Sequence, residues 1–112
     1  MLAKENRVTS AGDFRRAFRK GRRTNTGHVI LHVTNNEGSI TRVGFVVTKV
    51  VGNAVTRNLV RRRLQEITAE VIAEYPTGSD VVIRVLAGAE DMTWDALRSE
   101  VVTPLTRALK KN

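Results

Sequence analysis

Apolar residues recur along the chain with two different periods. Phe14, Ala17 and Phe18 follow the spacing of a helix, and Leu97 and Val101 repeat that spacing near the carboxyl end. Other stretches are rich in β-branched residues and alternate apolar with polar positions, as strands do. The predicted elements are a helix at about 10–20, a short strand at 22–25, strands at 28–34 and 40–48, a helix at 55–74, a strand at 80–86 and a helix from Thr93 that Pro104 kinks.

Turn and cap residues indicate how these segments are joined. Residues 35–39, Asn-Asn-Glu-Gly-Ser, separate the two longer apolar strands and predict that these strands form an antiparallel hairpin. Gly52 and Asn53 interrupt the next apolar run and supply a cap for the long helix. This order of elements predicts an α+β protein, an α/β sandwich of order αβββαβα that forms one domain over residues 1–112.

Charge is distributed unevenly along the chain. The formal net charge is +8, and residues 1–63 hold 14 Lys and Arg against 3 Asp and Glu, whereas residues 64–112 hold 5 against 8. The basic residues are interleaved with apolar ones in patterned segments. We therefore expect the positive charge to lie on folded helices and strands and not in a disordered basic tail. A positive field of this kind indicates a polyanionic partner.

Composition excludes several classes of protein. The chain has no cysteine, which removes disulfides, thiolate nucleophiles and Cys-type zinc sites. The amino terminus has no apolar signal region, and no stretch reaches the roughly 20 apolar residues of a membrane span. We therefore expect a soluble cytoplasmic protein without a membrane partner.

The long helix carries the strongest functional signal. Arg57, Asn58, Arg61, Arg62 and Gln65 fall within an arc of about 140° on a helical wheel, opposite the apolar residues. Guanidinium groups bind phosphate in a planar, permanently charged fork, and asparagine can read a sugar or a base edge. The alternative is a solvated charged face, although no acid stands among the five to form helical ion pairs.

Phe14 and Phe18 lie one helical turn apart among arginines and lysines. Rings interleaved with cations suit single-stranded RNA, because bases stack on the rings while the cations follow the backbone. Spacing alone favours a core position for both rings, since the chain has only five aromatic residues.

Other candidate chemistry is weak. His28 and His32 are too far apart in extended spacing to share a metal ion. Glu66, Glu70 and Glu74 repeat every fourth residue and are typical of a solubilising face. Neither a phosphate loop nor a nucleophile elbow is visible, so no protein-borne catalytic centre is expected.

Residues 42–49, 52–58 and 61–62 together resemble the signature of the bacterial ribonuclease P protein component, in which an Arg-Asn-x-x-Lys-Arg stretch starts the long helix. Residues 7–8, 13–14, Phe18, Gly21 and 80–83 match the same family's pattern, so the likeness covers nearly the whole chain. The resemblance implies a mixed four-stranded sheet with a left-handed β-α-β crossover, as in the second domain of ribosomal protein S5.

The resemblance also implies two binding regions. One is the RNA-facing start of the long helix, and the other is a cleft between the first helix and the sheet that takes the 5′ leader of precursor tRNA, which makes the two rings a partly exposed platform. The RNA-binding residues are then Lys49, Asn53, Arg57, Asn58, Arg61, Arg62 and Gln65, and the leader cleft is lined by Phe14, Arg15, Phe18 and His32.

The sequence departs from the family pattern at four positions. Val50 and Gln65 stand where the family often has lysine and arginine, and Arg61 replaces a lysine. His32 occupies a strand position that is commonly aromatic. Two cations are therefore missing, which suggests weaker or redistributed phosphate contacts near the helix start.

The expected function is that of an accessory subunit of an endoribonuclease. One protein would bind the catalytic RNA and the precursor tRNA leader, and would assist removal of the leader with Mg²⁺ held mainly by RNA phosphates. The alternatives are a structural RNA-binding module, such as a ribosomal protein, and a stand-alone nuclease. The missing catalytic constellation disfavours the nuclease.

Overall fold

The computed structural model describes residues 2–111. Three α-helices and four β-strands form this part of the chain, with short 3₁₀ turns at Lys4–Asn6 and Ala89–Asp91. The predicted α+β order is confirmed. In chain order the elements are α1 (Ala11–Lys20), β1 (Arg22–Asn25), β2 (Val29–Ile40), β3 (Arg42–Val46), α2 (Ala54–Ile72), β4 (Thr77–Val85) and α3 (Trp94–Lys111).

The four strands form one mixed sheet in the order β1-β2-β4-β3. Strand β4 runs antiparallel to β2 and parallel to β3, and α2 connects β3 to β4. Residues 79–83 of β4 are all buried, as expected for a central strand covered on both faces. The sheet is therefore mixed, as the family resemblance implies.

The predicted hairpin between residues 28–34 and 40–48 is wrong, because β4 lies between these two strands. The turn-forming residues at 35–39 do not reverse the chain into β3. They lie within β2, where Glu37 and Gly38 take positive φ and the register with β4 shifts before Ile40 pairs with Thr77. The antiparallel hairpin is instead formed by β1 and β2, with Arg23 opposite His32.

The sheet has one face covered by two helices and one face partly covered by α1. Leu31, Val43 and Ile83 belong to the main hydrophobic core together with the apolar faces of α2 and α3. Pro104 lies inside α3, which continues to Lys111. The buried core residues of these helices are Val60, Leu64, Ile67, Val71, Ile72, Leu97, Val101, Leu105, Ala108 and Leu109.

Local contacts fix the starts of α1 and α2. The Ser10 hydroxyl accepts the backbone N–H of Asp13, and the Asn53 side-chain oxygen accepts that of Thr56. Gly52 has φ 147°, and a Cβ there would lie 3.0 Å from Thr56. The predicted helix starts are therefore correct to within a residue.

Arg42 ties α1 to the sheet. Its guanidinium donates to both carboxylate oxygens of Asp80, at 3.0 and 2.6 Å, and to Asp13 of α1 at 3.1 Å. Asn36 donates to Asp80 as well. The hydrogen bond from Ser10 and the charge of Arg42 lower the pKa of Asp13, so this carboxylate stays ionised and holds α1 against the open sheet face.

Candidate nucleic-acid interface

The polar face of α2 forms a strip of hydrogen-bonding side chains, here called the basic strip. Its centre lies about 110° around the helix from the buried residues Val60 and Leu64, so packing of these residues against the core leaves the strip facing outward. Asn58 and Arg62 are exposed and the other three members are partly buried. The members are Arg57, Asn58, Arg61, Arg62 and Gln65.

The cations of the basic strip are not neutralised by acids. Arg61 donates to the Asn58 side chain at 2.8 Å, and in the described part of the chain no carboxylate forms an ion pair with Arg57, Arg61 or Arg62. The neighbouring Arg63 differs, because it donates to the backbone carbonyl of Met92. The strip therefore presents three arginines whose charge is free to meet an external anion.

A tight turn presents further polar groups at the start of α2. The backbone N–H groups of Val51 and Gly52 bond to the carbonyls of Thr48 and Lys49 at 3.1 Å. Lys49 is exposed. Asn53 is exposed too, although its side-chain oxygen is engaged as the cap of α2.

A second surface, here called the aromatic cleft, lies where α1 crosses the sheet. Its members are Phe14, Phe18, His32 and Arg84. The Phe18 and His32 rings meet edge to face with centroids 4.9 Å apart, and the Arg84 guanidinium lies 5.7 Å from the Phe18 centroid. Phe18 is 39% exposed, so it is not a core residue.

His32 lies beneath Phe18 and is only 4% exposed. Its two ring nitrogens have no hydrogen-bond partner among residues 2–111. Burial lowers the pKa of His32, and the charges of Arg84 and Arg23 lower it further. An external ring would meet Phe18 first, because Phe18 separates the imidazole from solvent in this conformation.

Phe14 is positioned by the absence of a side chain at Gly44. A Cβ at Gly44 would lie 2.7 Å from the Phe14 ring, so only glycine lets the ring approach the strand this closely. A cavity of about 170 Å³ beside this contact is lined by Phe14 and Phe45 and also by Arg61 and Gln65. The aromatic cleft and the basic strip therefore adjoin at this point.

Arg15, which the resemblance implied as a lining residue of the cleft, is exposed on α1, about 60° around the helix from Phe18. It lines a shallow depression there with Gly12, Arg16, Arg19 and Lys20. The structure thus groups Phe14, Phe18 and His32 together and groups Arg15 with the other cations of α1.

Sequence reasoning missed Arg84 and the anchoring role of Arg42. Arg84 is the exposed member of an otherwise buried stretch of β4, Val81 to Val85, and that break in the apolar pattern was the available signal. Nothing in the local sequence of Arg42 reveals its partners, because Asp13 and Asp80 come from distant segments.

Among residues 2–111, the structure brings together no group of three or more His, Asp or Glu side chains that could hold a metal ion. In that same stretch no helix combines the length and apolar character that a membrane crossing requires.

The fold and these surfaces define a class, that of small basic α+β proteins with an uncompensated cationic helix beside an aromatic cleft. A sequence profile of the Ribonuclease P family matches residues 2–109. The chain is 48% identical to the ribonuclease P protein component of Clavibacter michiganensis over 98% of both chains, and 43% identical to that of Kocuria rhizophila over 96% of this chain and 98% of the relative.

Solved structures agree with this assignment. The RNase P protein of Staphylococcus aureus superposes with a TM-score of 0.78 at 28% identity, covering 95% of this chain and 94% of that chain. That of Thermotoga maritima has the same fold, with a TM-score of 0.80 at 23% identity over 90% of this chain and 96% of that chain. The chain therefore belongs to the ribonuclease P protein family, which assigns it to an endoribonuclease complex of tRNA processing with an RNA partner.

Proposed function

We propose that this protein binds the catalytic RNA of ribonuclease P through the basic strip and holds the 5′ leader of precursor tRNA in the aromatic cleft. The observation that carries the proposal is that Arg57, Arg61 and Arg62 have no acidic partner in the described chain. These three charges repel one another in the free protein, and binding to phosphate groups relieves that repulsion.

The basic strip suits a sugar-phosphate backbone. Each arginine can donate two parallel hydrogen bonds to one phosphate, and each neutralised phosphate releases bound counterions. The Asn58 amide lies between the arginines and offers a donor and an acceptor to a ribose or a base edge. Lys49 and Asn53 extend the same surface toward the helix start, and Gln65, the last member of the strip, lies beside the cleft.

The aromatic cleft suits an unpaired strand. Every base has an aromatic face that can stack on an exposed ring, so Phe18 offers a contact that tolerates different sequences. Arg84 beside Phe18 can pair with the phosphate of the stacked nucleotide. His32 supports Phe18 from below, and Phe14 lines the passage toward Arg61.

Catalysis is assigned to the RNA partner. Residues 2–111 bring together no group of three or more His, Asp or Glu side chains, and Mg²⁺ is proposed to be held mainly by RNA phosphates. The contribution of the protein is then to neutralise phosphate repulsion between the two RNAs and to position the leader. One protein per RNA subunit is the proposed stoichiometry.

The test is a precursor tRNA cleavage assay with the RNA subunit at low Mg²⁺, with and without this protein. The wild-type protein should raise cleavage at limiting substrate, and protein alone should cleave nothing. Arg57→Gln should lose most of this gain, whereas Lys110→Gln, which removes an exposed cation of α3, should retain it. An RNA subunit that cleaves equally well without the protein would refute the proposal and leave a structural RNA-binding role.

A further inference from the structure

The outer side of α1 carries a set of cations that neither surface described above uses. At about 100° per residue, Arg15, Arg16, Arg19 and Lys20 lie within an arc of about 140°. All four are exposed, and a depression of about 260 Å³ runs between them. This set is here called the cationic face of α1.

The charges of this face are not compensated within the fold. Asp13 is the acid of α1, and it is turned to the sheet, where it meets Arg42. In the described chain none of the four cations forms an ion pair, and Arg16 makes one hydrogen bond, to the carbonyl of Asn35. Like charges four residues apart destabilise a helix, so the arrangement opposes folding unless an anion is present.

The position of the face indicates which anion fits. Phe18 lies next to Arg15 around the helix, about 60° away, so the face begins where the aromatic cleft ends. A membrane surface fits poorly, because an interfacial helix needs an apolar face turned to lipid, and the apolar side of α1 packs on the sheet, with Ala17 1% exposed. A single RNA strand that stacks on Phe18 can continue across these cations.

We infer that the cationic face of α1 is a sequence-independent binding site for the sugar-phosphate backbone of single-stranded RNA, in continuation of the aromatic cleft. It adds affinity in proportion to the length of strand beyond the stacked nucleotides. The inference rests on the proposed function, because the strand must first enter the aromatic cleft. Its distinguishing property is a dependence on strand length and salt without dependence on base identity.

The experiment measures binding of the full chain to fluorescent oligouridylates of about four and about twelve nucleotides over a range of salt concentrations. The variant is Arg15→Gln with Arg19→Gln. The control is Arg107→Gln with Lys110→Gln, which removes two exposed cations from α3. A charge-preserving variant, Arg15→Lys with Arg19→Lys, separates loss of charge from damage to the helix.

The wild-type protein should bind the long oligomer more tightly than the short one. The Arg15→Gln/Arg19→Gln variant should bind the short oligomer within about twofold of wild type and lose about tenfold for the long one, with a salt slope smaller by about 1.4 for two lost phosphate contacts. The control and the lysine variant should keep the long-oligomer affinity.

Three results would overturn the inference: an unchanged long-oligomer affinity in the glutamine variant, an equal loss in the α3 control, or an equal loss for an RNA duplex of the same length. Vesicles of anionic lipid that bind wild type but not the glutamine variant would overturn it also. If the wild-type protein binds no short oligomer, the aromatic cleft of the proposed function fails. If the wild-type protein binds the short and the long oligomer equally tightly, the inference about the cationic face of α1 is refuted, while the proposed role of the aromatic cleft stands.

Discussion

The imidazole of His32 meets the ring of Phe18 edge to face, with the two ring planes 87° apart. Phe18 thereby covers a titratable group whose nitrogens have no hydrogen-bond partner among residues 2–111. The pair forms a surface that is apolar at its centre and cationic at its sides, where Arg23 and Arg84 lie. Such a surface favours stacking of a base.

The first prediction concerns the pH dependence of stability. The pKa of His32 is lowered in the folded protein by burial and by the charges of Arg84 and Arg23. As pH falls through about 6.5, the unfolded chain takes up a proton that the folded chain does not, so the free energy of unfolding decreases. Urea unfolding at a series of pH values between about 7.5 and 5 measures this slope.

His32→Leu should remove that component of the slope while leaving the decrease at lower pH, where carboxylates such as Asp13 become protonated. The lowered pKa of Asp13 places its contribution below about pH 4. Parallel curves for wild type and His32→Leu between about pH 7 and pH 5 would contradict the account of a buried neutral imidazole.

The second prediction concerns the contact between Phe14 and Gly44. A methyl group at residue 44 would overlap the Phe14 ring and approach Val8 at 2.9 Å, so Gly44→Ala should displace the ring and cost about 1–3 kcal/mol of stability. Chemical unfolding measures the cost. Gly12→Ala is the matched control, because a Cβ at residue 12 would meet only the Ser10 hydroxyl oxygen, at an ordinary contact distance of 3.9 Å, and the substitution should gain about 0.5–1 kcal/mol in helix propensity.

The third prediction concerns the anchor of α1. Arg42→Met leaves the Asp80 carboxylate, whose side chain is 5% exposed, without its main partner, and should cost about 3 kcal/mol. Arg98→Met is the control, since the Arg98 ion pair with Glu70 is exposed on both sides and should matter less. Equal destabilisation by the two substitutions in urea would show that Arg42 is not an anchor.

Local patterns predicted the elements well and their pairing poorly. Ser10 and Asn53 mark the helix starts because capping is a contact within one turn, and the apolar spacing of Val60 and Leu64 identifies the buried side of α2. The pairing of β2 with β4 joins residues about 50 positions apart, as in Leu31 with Ile83, and no local signal specifies it. Turn residues at 35–39 therefore suggested a hairpin that the sheet does not contain.

In the candidate interface too, the features set by local sequence could be predicted, whereas those set by long-range packing could not. The basic strip follows from helical periodicity alone, so its geometry could be predicted from the sequence. The burial of His32 and the proximity of Arg84 to Phe18 depend on how α1 crosses β2 and β4. The grouping of Arg15 with the exposed cations of α1, at the margin of the cleft, depends on which side of α1 packs on the sheet, and the spacing within this short helix did not specify that side.

The fourth prediction concerns the effect of anions on the free protein. Because residues 1–63 carry a formal net charge of +11, a polyanion that binds the folded state should raise the midpoint of thermal unfolding. Pyrophosphate at about 100 times its dissociation constant should stabilise the fold by about 2.7 kcal/mol. Sodium chloride of equal ionic strength is the control, and a midpoint that pyrophosphate does not raise beyond it would refute this expectation.

The central claim is that the basic strip of α2 meets RNA phosphates, and neighbouring arginines test it most directly. Arg62 points outward without an acidic partner, whereas Arg63 donates to the Met92 carbonyl. The measurement is the salt dependence of binding to the ribonuclease P RNA for Arg62→Gln and for Arg63→Gln. The account predicts that Arg62→Gln weakens binding and reduces the salt slope by about 0.9, while Arg63→Gln leaves the slope unchanged. Equal slopes for wild type and Arg62→Gln would contradict it.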